Sequence, residues 1–534
     1  MKRNRFLSLL PSLLLGALSA LPLLFSELPL LSFLLFAPFL YRLFRLEGVS
    51  LGRYYLHGLF FFQGYLMIAF SFFVAMYPLE FAGLTIPAAV SVILAATILL
   101  PLFQGCFLAF GCLLFGLFKR HGFLSRPVLP SLTVSALVTL LFFCQNFTWA
   151  GVPWAAPAVG LASLPVLIES ASLFGSLFLS FLVLFVNALL AEGFISFRAC
   201  RDKAALLTAC LAVGLFASNL LYGLVLVHQT PKGEGETVTV ALLQSGAQVA
   251  DSVPMAEELA ICEELARKAV DESREKIDLI VWPESMLHHA LERDTEYKAF
   301  FSRIAIETEA MHIVGSFSEQ TDETSFAHFY NSLFVFYPDG SMSEEKYNKR
   351  RPVPFGEYLP MAEVFGTLIP ALTEISMLAR DTEAGESASL FHLPFGTVGG
   401  LICFDSIYPA LARESVAEGA ALLVLPTNDS WFDGSFGKDI HFAHAVLRAV
   451  ENRRTVLRVG TTGLTSVILP NGETRDMLVR DESAASISTA TLYEGKSLYT
   501  TIGDAFAVCL AAYLLLYPTT VLVLKHAKRK ETKR

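Results

Sequence analysis

Three residue types that together can carry out an acyl transfer lie at or beside the ends of apolar runs in the middle of this chain. Cys403 closes "TVGGLIC" (397–403), Glu284 follows "IDLIVWP" (277–283), and Lys349 lies in the polar stretch "EEKYNKRRPVPFGE" (344–357). A free thiol is a poor nucleophile at neutral pH unless a base removes its proton or a neighbour lowers its pKa. A carboxylate can act as that base. An ammonium can stabilise both the thiolate and the oxyanion formed when sulfur attacks a carbonyl. Each residue also has a plainer reading: a thiol in the core, a helix-capping or solvent-facing glutamate, a solvated basic face. The residue types alone leave both readings open.

The segments around them alternate in period. "TVTVALLQ" (237–244), "IDLIVWPE" (277–284), "HIVGSFSE" (312–319), "NSLFVFYPDG" (331–340), "TVGGLICF" (397–404) and "ALLVLPTND" (421–429) read as strands. "MAEELAICEELARKAVDE" (255–272) and "HFAHAVLRAVENRR" (441–454) have helical spacing, and a further helix is expected after Pro409. "TVLRVGTTGLTSVILPNGE" (455–473) reads as a strand pair with an Asn-Gly turn. Strands joined by helical crossovers predict a layered α/β fold, in which sites gather beyond the C-terminal strand ends. Glu284 and Cys403 fall at such ends.

The flanks are of another kind. The 534 residues are 54% hydrophobic, and the apolar residues concentrate before 230 and after 503. Crossing a bilayer takes about 20 apolar residues. That predicts about eight spans, near 6–25, 28–45, 55–77, 86–118, 128–146, 171–194, 204–228 and 503–525. No small-residue cleavage site follows the first, so it reads as a span rather than a signal peptide. Lys2, Arg3 and Arg5, then Arg42, Arg45 and Arg53, then Lys119, Arg120 and Arg126, then Arg198, Arg201 and Lys203, and finally the tail "KHAKRKETKR" all fall on one side with seven spans before the α/β stretch and one after. The loops at 26–27, 78–83 and 147–170 are nearly free of Lys and Arg. By the positive-inside rule the basic side, with both termini, is cytoplasmic and the α/β stretch is extracytoplasmic. The expected domains are therefore 1–230, 237–495 and 501–534. Residues 147–170, rich in Pro, Gly and Trp, read either as a loop packed on the bundle or as an interfacial segment bordering a lipid entrance.

A net charge of −9 and the absence of a large basic patch argue against nucleic acid. The eight cysteines have no paired spacing and support neither a disulfide framework nor a zinc ribbon. His441 and His444 lie one helical turn apart and His288 and His289 follow Glu284, but no third ligand is in register, so neither metal nor cofactor is expected. The histidine pair is expected to pack or to line a pocket rim.

"VWPES" (281–285), "YNKRRPVPFGEYLP" (347–360), "GGLICFDSIYP" (399–409) and "PTNDSWFDGSFGKDIHFAHAVLRAVENRR" (426–454) occur in one order with sensible separations. This set resembles the carbon–nitrogen hydrolase (nitrilase) superfamily, and in particular its membrane-embedded branch, the apolipoprotein N-acyltransferases. The resemblance covers the whole chain. It implies a polytopic helical membrane bundle carrying an extracytoplasmic αββα nitrilase-like sandwich, in a bacterial inner membrane. It implies Glu284 as general base, Lys349 as oxyanion stabiliser, Cys403 as nucleophile and Glu357 as supporting acid, with Asn331, Asn428 and Trp431 near the pocket. After the cysteine, Phe404 and Asp405 stand where the family usually has Tyr-Glu, and the early strand continues "LLQSGAQVADSV" where the family has an Asn and a Lys-Trp pair.

The implied reaction is a ping-pong transfer of an acyl chain. The donor is a membrane phospholipid, a thioester forms on Cys403, and the acceptor is the α-amine of an apolipoprotein's diacylglyceryl-cysteine. A monomer suffices for it. The rival readings are a membrane-tethered amidase, a non-catalytic lipoprotein-binding module and a transporter. The many spans argue against the first, the full reactive trio against the second, and the scarcity of charge deep in the spans against the third.

Overall fold

The computed structural model describes residues 7–79, 85–148, 150–227, 235–247, 253–287, 289–321, 327–362, 367 and 381–531. Lys2, Arg3, Arg5, most of the 78–83 loop, Trp149, His288 and the end of the basic tail lie outside them. The chain divides into two compact units. One comprises Met1–Val74, Val92–His228 and Ile502–Arg534, the other Ala75–Ser91 and Gln229–Thr501.

The first unit is a helical bundle. Among the described residues five helices are long and apolar enough to cross a membrane: Ile86–Arg120, Leu129–Phe147, Ala171–Arg198, Asp202–Val227 and Ala505–Glu531. The three other expected spans differ. Residues 6–25 hold two helices, Leu10–Ser19 and Leu21–Leu24, and residues 28–45 hold a 3-10 turn, Pro29–Phe33, before the helix Ala37–Phe44. Pro11, Pro22, Pro29 and Pro38 each sit at the start of one of these pieces, where a missing N–H costs nothing. The third, expected at 55–77, is the helix Leu51–Ala69 followed by a 3-10 segment, Ser71–Met76.

Polar side chains inside this bundle satisfy backbone groups that lipid cannot. Asn187 accepts from the N–H groups of Phe36 (3.0 Å) and Ala37 (2.9 Å) and donates to the carbonyls of Ser32 and Val183, both at 2.8 Å. Glu192 caps the helix Leu129–Cys144 by accepting from the Val128 N–H (2.8 Å) and the Ser131 hydroxyl (2.6 Å). Its carboxyl group serves a helix end. The 147–170 segment packs into the bundle: Trp154 is fully buried beside Phe72, and Tyr65 donates to the Ala155 carbonyl at 2.9 Å.

The second unit is an αββα sandwich. Its strands are β1 (Thr237–Gln244), β2 (Leu279–Val281), β3 (Met311–Thr321), β4 (Ala327–Phe336), β5 (Met342–Asn348), β6 (Leu390–Leu393), β7 (Gly396–Gly400), β8 (Leu422–Thr427), β9 (Thr455–Gly460), β10 (Ser466–Ile468), β11 (Thr474–Arg475) and β12 (Ala484–Thr491). They form two six-stranded sheets of order β12-β1-β2-β3-β4-β5 and β11-β10-β9-β8-β7-β6. The helices are α1 (Met255–Glu272), α2 (Thr295–Thr308), α3 (Pro409–Glu418) and α4 (Gly437–Asn452).

Period-2 alternation assigns the faces. Val238, Val240 and Leu242 of β1 join Val398, Leu422, Val424 and Leu457 in the core between the sheets. Ala241 and Leu243 point the other way, onto Leu259, Cys262 and Ala266 of α1 and Phe301 and Ile304 of α2. The helix α3 packs on β7, and α4 on β9.

Several boundaries moved from the expected ones. The strand before Cys403 stops at Gly400, and Cys403 opens a 3-10 turn, Cys403–Ile407. The strand before Glu284 stops at Val281. The helix expected at 441–454 begins at Gly437. The Asn471-Gly472 turn closes β10 onto β11: the Gly472 N–H donates to the Leu469 carbonyl and the Leu469 N–H to the Glu473 carbonyl, both at 2.8 Å, while β9 reaches β10 through residues 461–465.

Candidate active site

Glu284, Lys349 and Cys403 each follow the C-terminal end of a strand: β2, β5 and β7. Antiparallel pairing of β3 with β4 and of β4 with β5 makes β5 run in the direction of β2. Glu284 and Lys349 therefore leave the first sheet at the same edge.

The Glu284 carboxylate is almost fully saturated by the protein. Its Oε1 accepts from Lys349 Nζ (3.0 Å) and Asn331 Nδ2 (2.8 Å), and its Oε2 from the Asn428 N–H (2.7 Å). The Lys349 ammonium also meets Glu357 Oε2 at 2.8 Å. Asn331 Nδ2 donates a second bond, to Glu357 Oε1, at 2.9 Å. One cation and one amide thus hold two carboxylates, and Lys349 is only 1% exposed. Burial works against the lysine's charge, but Glu284 and Glu357 outweigh it and hold its pKa well above the ordinary value. The same surroundings push the Cys403 thiol well above its ordinary pKa, through burial first and Glu284 next, with Lys349 opposing. At rest sulfur is a thiol and needs a base.

Backbone geometry brings Glu284 in. A Cβ at Gly315 of β3 would lie 2.6 Å from the Pro283 oxygen and 2.9 Å from Glu284 Cα, so only glycine admits this approach. Ser285 (φ +53°) and Cys403 (φ +48°) both adopt the left-handed region, which is unfavourable with a Cβ and concentrates at functional sites.

Asp405 is fully buried and fastens the two halves of the site. Its Oδ2 accepts from the Tyr347 hydroxyl (2.9 Å) and the Ile402 N–H (3.1 Å), and its Oδ1 from the Arg351 N–H (2.8 Å). The shorter carboxylate therefore ties the lysine loop to the cysteine turn. Burial raises its pKa, and Lys349 opposes this. Phe404, half-buried, packs edge-on against Tyr408 with ring centroids 5.7 Å apart. Asn428 accepts from the Ser430 N–H (3.2 Å) and the Thr461 hydroxyl (3.0 Å) through its side chain. Trp431 is half-buried in the 3-10 turn Asp429–Phe432, next in sequence to these groups.

A carbon-nitrogen hydrolase family model matches residues 239–493, and an apolipoprotein N-acyltransferase N-terminal domain model matches residues 15–189. An apolipoprotein N-acyltransferase of Geobacter metallireducens is 33% identical over 70% of this chain and 70% of its own. The chain belongs to the apolipoprotein N-acyltransferase family. A relative of the same name from Gloeobacter violaceus is 30% identical over 68% of this chain and 67% of its own. Among solved structures, Nit3 of Saccharomyces cerevisiae, a member of branch 10 of the nitrilase superfamily, aligns with 48% of this chain and 90% of its own at 19% identity and a TM-score of 0.38. Membership makes the chain an N-acyltransferase enzyme and a bacterial membrane protein.

The family motifs pointed to Glu284, Lys349, Glu357, Asn331 and Asn428, and the structure brings all five together. They did not point to Tyr347, Gly315 or Arg458. Tyr347 had a signal, since it sits two residues before Lys349 and period-2 alternation puts both on the same strand face. Both ring nitrogens of His441 are engaged: Nδ1 faces Asp429 and Nε2 the Cys403 carbonyl, both at 3.0 Å. His289 is likewise engaged, with Asp294 Oδ2 at 2.9 Å.

Proposed function

We propose that this enzyme transfers an acyl chain from a membrane phospholipid to the N-terminal diacylglyceryl-cysteine of apolipoproteins, in two half-reactions through a thioester on Cys403. The observation that carries the reading is the buried Glu284–Lys349–Glu357 cage, whose lysine loop is tied through Asp405 to the turn that opens at Cys403. In the first half-reaction the thiol proton passes to Glu284 as sulfur attacks the donor's ester carbonyl. Lys349 stabilises the oxyanion. The C–O bond then breaks, Glu284 returns the proton to the leaving oxygen, and a lysophospholipid departs. In the second, the lipoprotein amine attacks the thioester and Glu284 takes its proton. The C–S bond breaks, the amide remains, and the proton returns to sulfur.

Glu357 and Asn331 hold Lys349 and Glu284 in register, and Asn428 orients Glu284 through its N–H. Phe404 and Asp405 shape the turn behind the nucleophile, and Trp431 borders the pocket. The basic loops support a catalytic domain on the extracytoplasmic side of the inner membrane, with both termini cytoplasmic. The proposal takes 1–230, 237–495 and 501–534 as its domains and a monomer as its working form.

The test is intact mass of the full chain, purified in detergent with mixed phospholipids, beside Cys403→Ala. A gain of one acyl chain, labile to hydroxylamine and absent from the variant, is expected. Release of free fatty acid without transfer to a lipopeptide amine would replace this reading with a hydrolase.

A further inference from the structure

Cys403 is held at its carbonyl as well as faced at its thiol. Two donors reach that carbonyl oxygen, the Ser406 hydroxyl at 2.8 Å and His441 Nε2 at 3.0 Å. A carbonyl only accepts, so Nε2 carries the hydrogen. The other ring nitrogen faces Asp429 Oδ1 at 3.0 Å and Arg458 Nη2 at 3.3 Å. Arg458 donates to the same carboxylate from Nη2 to Oδ1 at 3.0 Å, and its Nη1 lies within ion-pair distance of Oδ2, at 2.9 Å. It is anchored in turn on the carbonyls of Gly463 (3.2 Å) and Leu464 (3.1 Å).

His441 is 1% exposed and Asp429 and Arg458 are 0% exposed. The four residues come from neighbouring elements: Cys403 after β7, Asp429 after β8, Arg458 in β9 and His441 in the covering helix α4. With Nε2–H committed to Cys403, Nδ1 either accepts from Arg458 or, on a protonated ring, donates to Asp429. In both cases the Asp429–Arg458 pair fixes the plane of the ring.

The backbone it steadies is an uncomfortable one. Cys403 has φ +48°, and a residue with a Cβ holds that conformation only where its surroundings enforce it. That conformation also sets where Sγ points. We infer that His441 is a positioning residue for the nucleophile: its Nε2–H, oriented by the buried Asp429–Arg458 pair, clamps the Cys403 carbonyl and holds the left-handed turn that presents the thiol to Glu284 and Lys349. The inference rests on Cys403 being the nucleophile, which Cys403→Ala tests separately.

The experiment compares His441→Met and His441→Gln in the full chain in detergent. Met fills similar space with no donor, whereas the Gln amide can place a donor where Nε2 stood. Single-turnover thioester formation is followed against phospholipid concentration, together with the rate of Cys403 alkylation by iodoacetamide and the thermal transition. Displacing a reacting atom by about 1 Å costs on the order of 100-fold. His441→Met is expected to slow thioester formation at saturating donor by about 100-fold, with half-saturation little changed, and Gln to restore it to within about tenfold. A Met variant with wild-type thioester and alkylation rates overturns the inference. So does equal slowing of Met and Gln in step with equal losses of thermal stability, which would mean simple packing. If the Met variant does not fold, a Gln variant that folds but reacts about 100-fold slower than wild type overturns it, and one close to wild type supports it. A wild-type chain that forms no thioester at all fails the proposed function instead.

Discussion

Two buried polar clusters flank Cys403, and they balance charge differently. In the first, Lys349 alone serves both Glu284 and Glu357, with Asn331 donating to each. In the second, Arg458 serves Asp429 one to one, with His441 alongside. Both Glu284 and Asp429 act electrostatically on the Cys403 thiol. Burial favours the neutral form of Asp429, but Arg458 and His441 prevail and hold it at about 2. Such a carboxylate makes a poor base. Glu284 shares its cation with a second carboxylate, so this cluster holds two buried acidic groups against one cation. The unbalanced cluster suits proton transfer and the balanced one suits a fixed scaffold.

The sharpest way to break this contrast is to remove Glu284, the proposed base. Glu284→Gln should lower single-turnover thioester formation by roughly 10³-fold, within the range typical of general-base loss. Little change, measured by intact mass against time, would shift the base to Asp429. Next, Lys349→Met leaves two buried carboxylates without their cation. It should abolish transfer and lower stability by about 3–5 kcal/mol, read from thermal unfolding of the purified chain.

Acid probes the other cluster. Asp429 has a folded pKa depressed to about 2 from 3.8. Its contribution is therefore fully present above the unfolded value and is lost as pH falls through about 4 towards about 2. A depression of that size corresponds to about 2–3 kcal/mol. Asp429→Asn should lower stability at neutral pH and flatten that acid limb, and an unaltered limb would sink the assignment. Smaller still, Asn331→Leu should slow thioester formation about tenfold, since both carboxylates lose a donor worth about 1–1.5 kcal/mol. Gly315→Ala, which forces Glu284 outward, should act in the same direction on rate with the thiol's alkylation unchanged.

Much of this was legible beforehand. The strand cores were visible because apolar alternation is local, and "TVTVALLQ" and the helix 255–272 fall where their period placed them. The bundle was harder to count. Hydropathy averages over a window, whereas Pro11, Pro22, Pro29 and Pro38 divide the first apolar stretches into short pieces that still pack. Trp154 lies in a segment whose composition left two readings open, a packed loop or an interfacial border, and its burial matches the packed loop; the choice depends on neighbours that a sequence window does not contain.

The sequence by itself determined where the membrane segments concentrate, that the middle is α/β, and which acid, base and thiol lie at or beside strand ends, since hydrophobic period and charge act over a few residues. Only the tertiary structure decided who meets whom. Asn331 bridges carboxylates 47 and 26 residues away, and His441 reaches a carbonyl 38 residues back. The left-handed turn at Cys403 carries no glycine to announce it. Such pairings depend on strand order and on burial, which strengthens a matched charge and penalises an unmatched one, and neither is a property of any local stretch of chain.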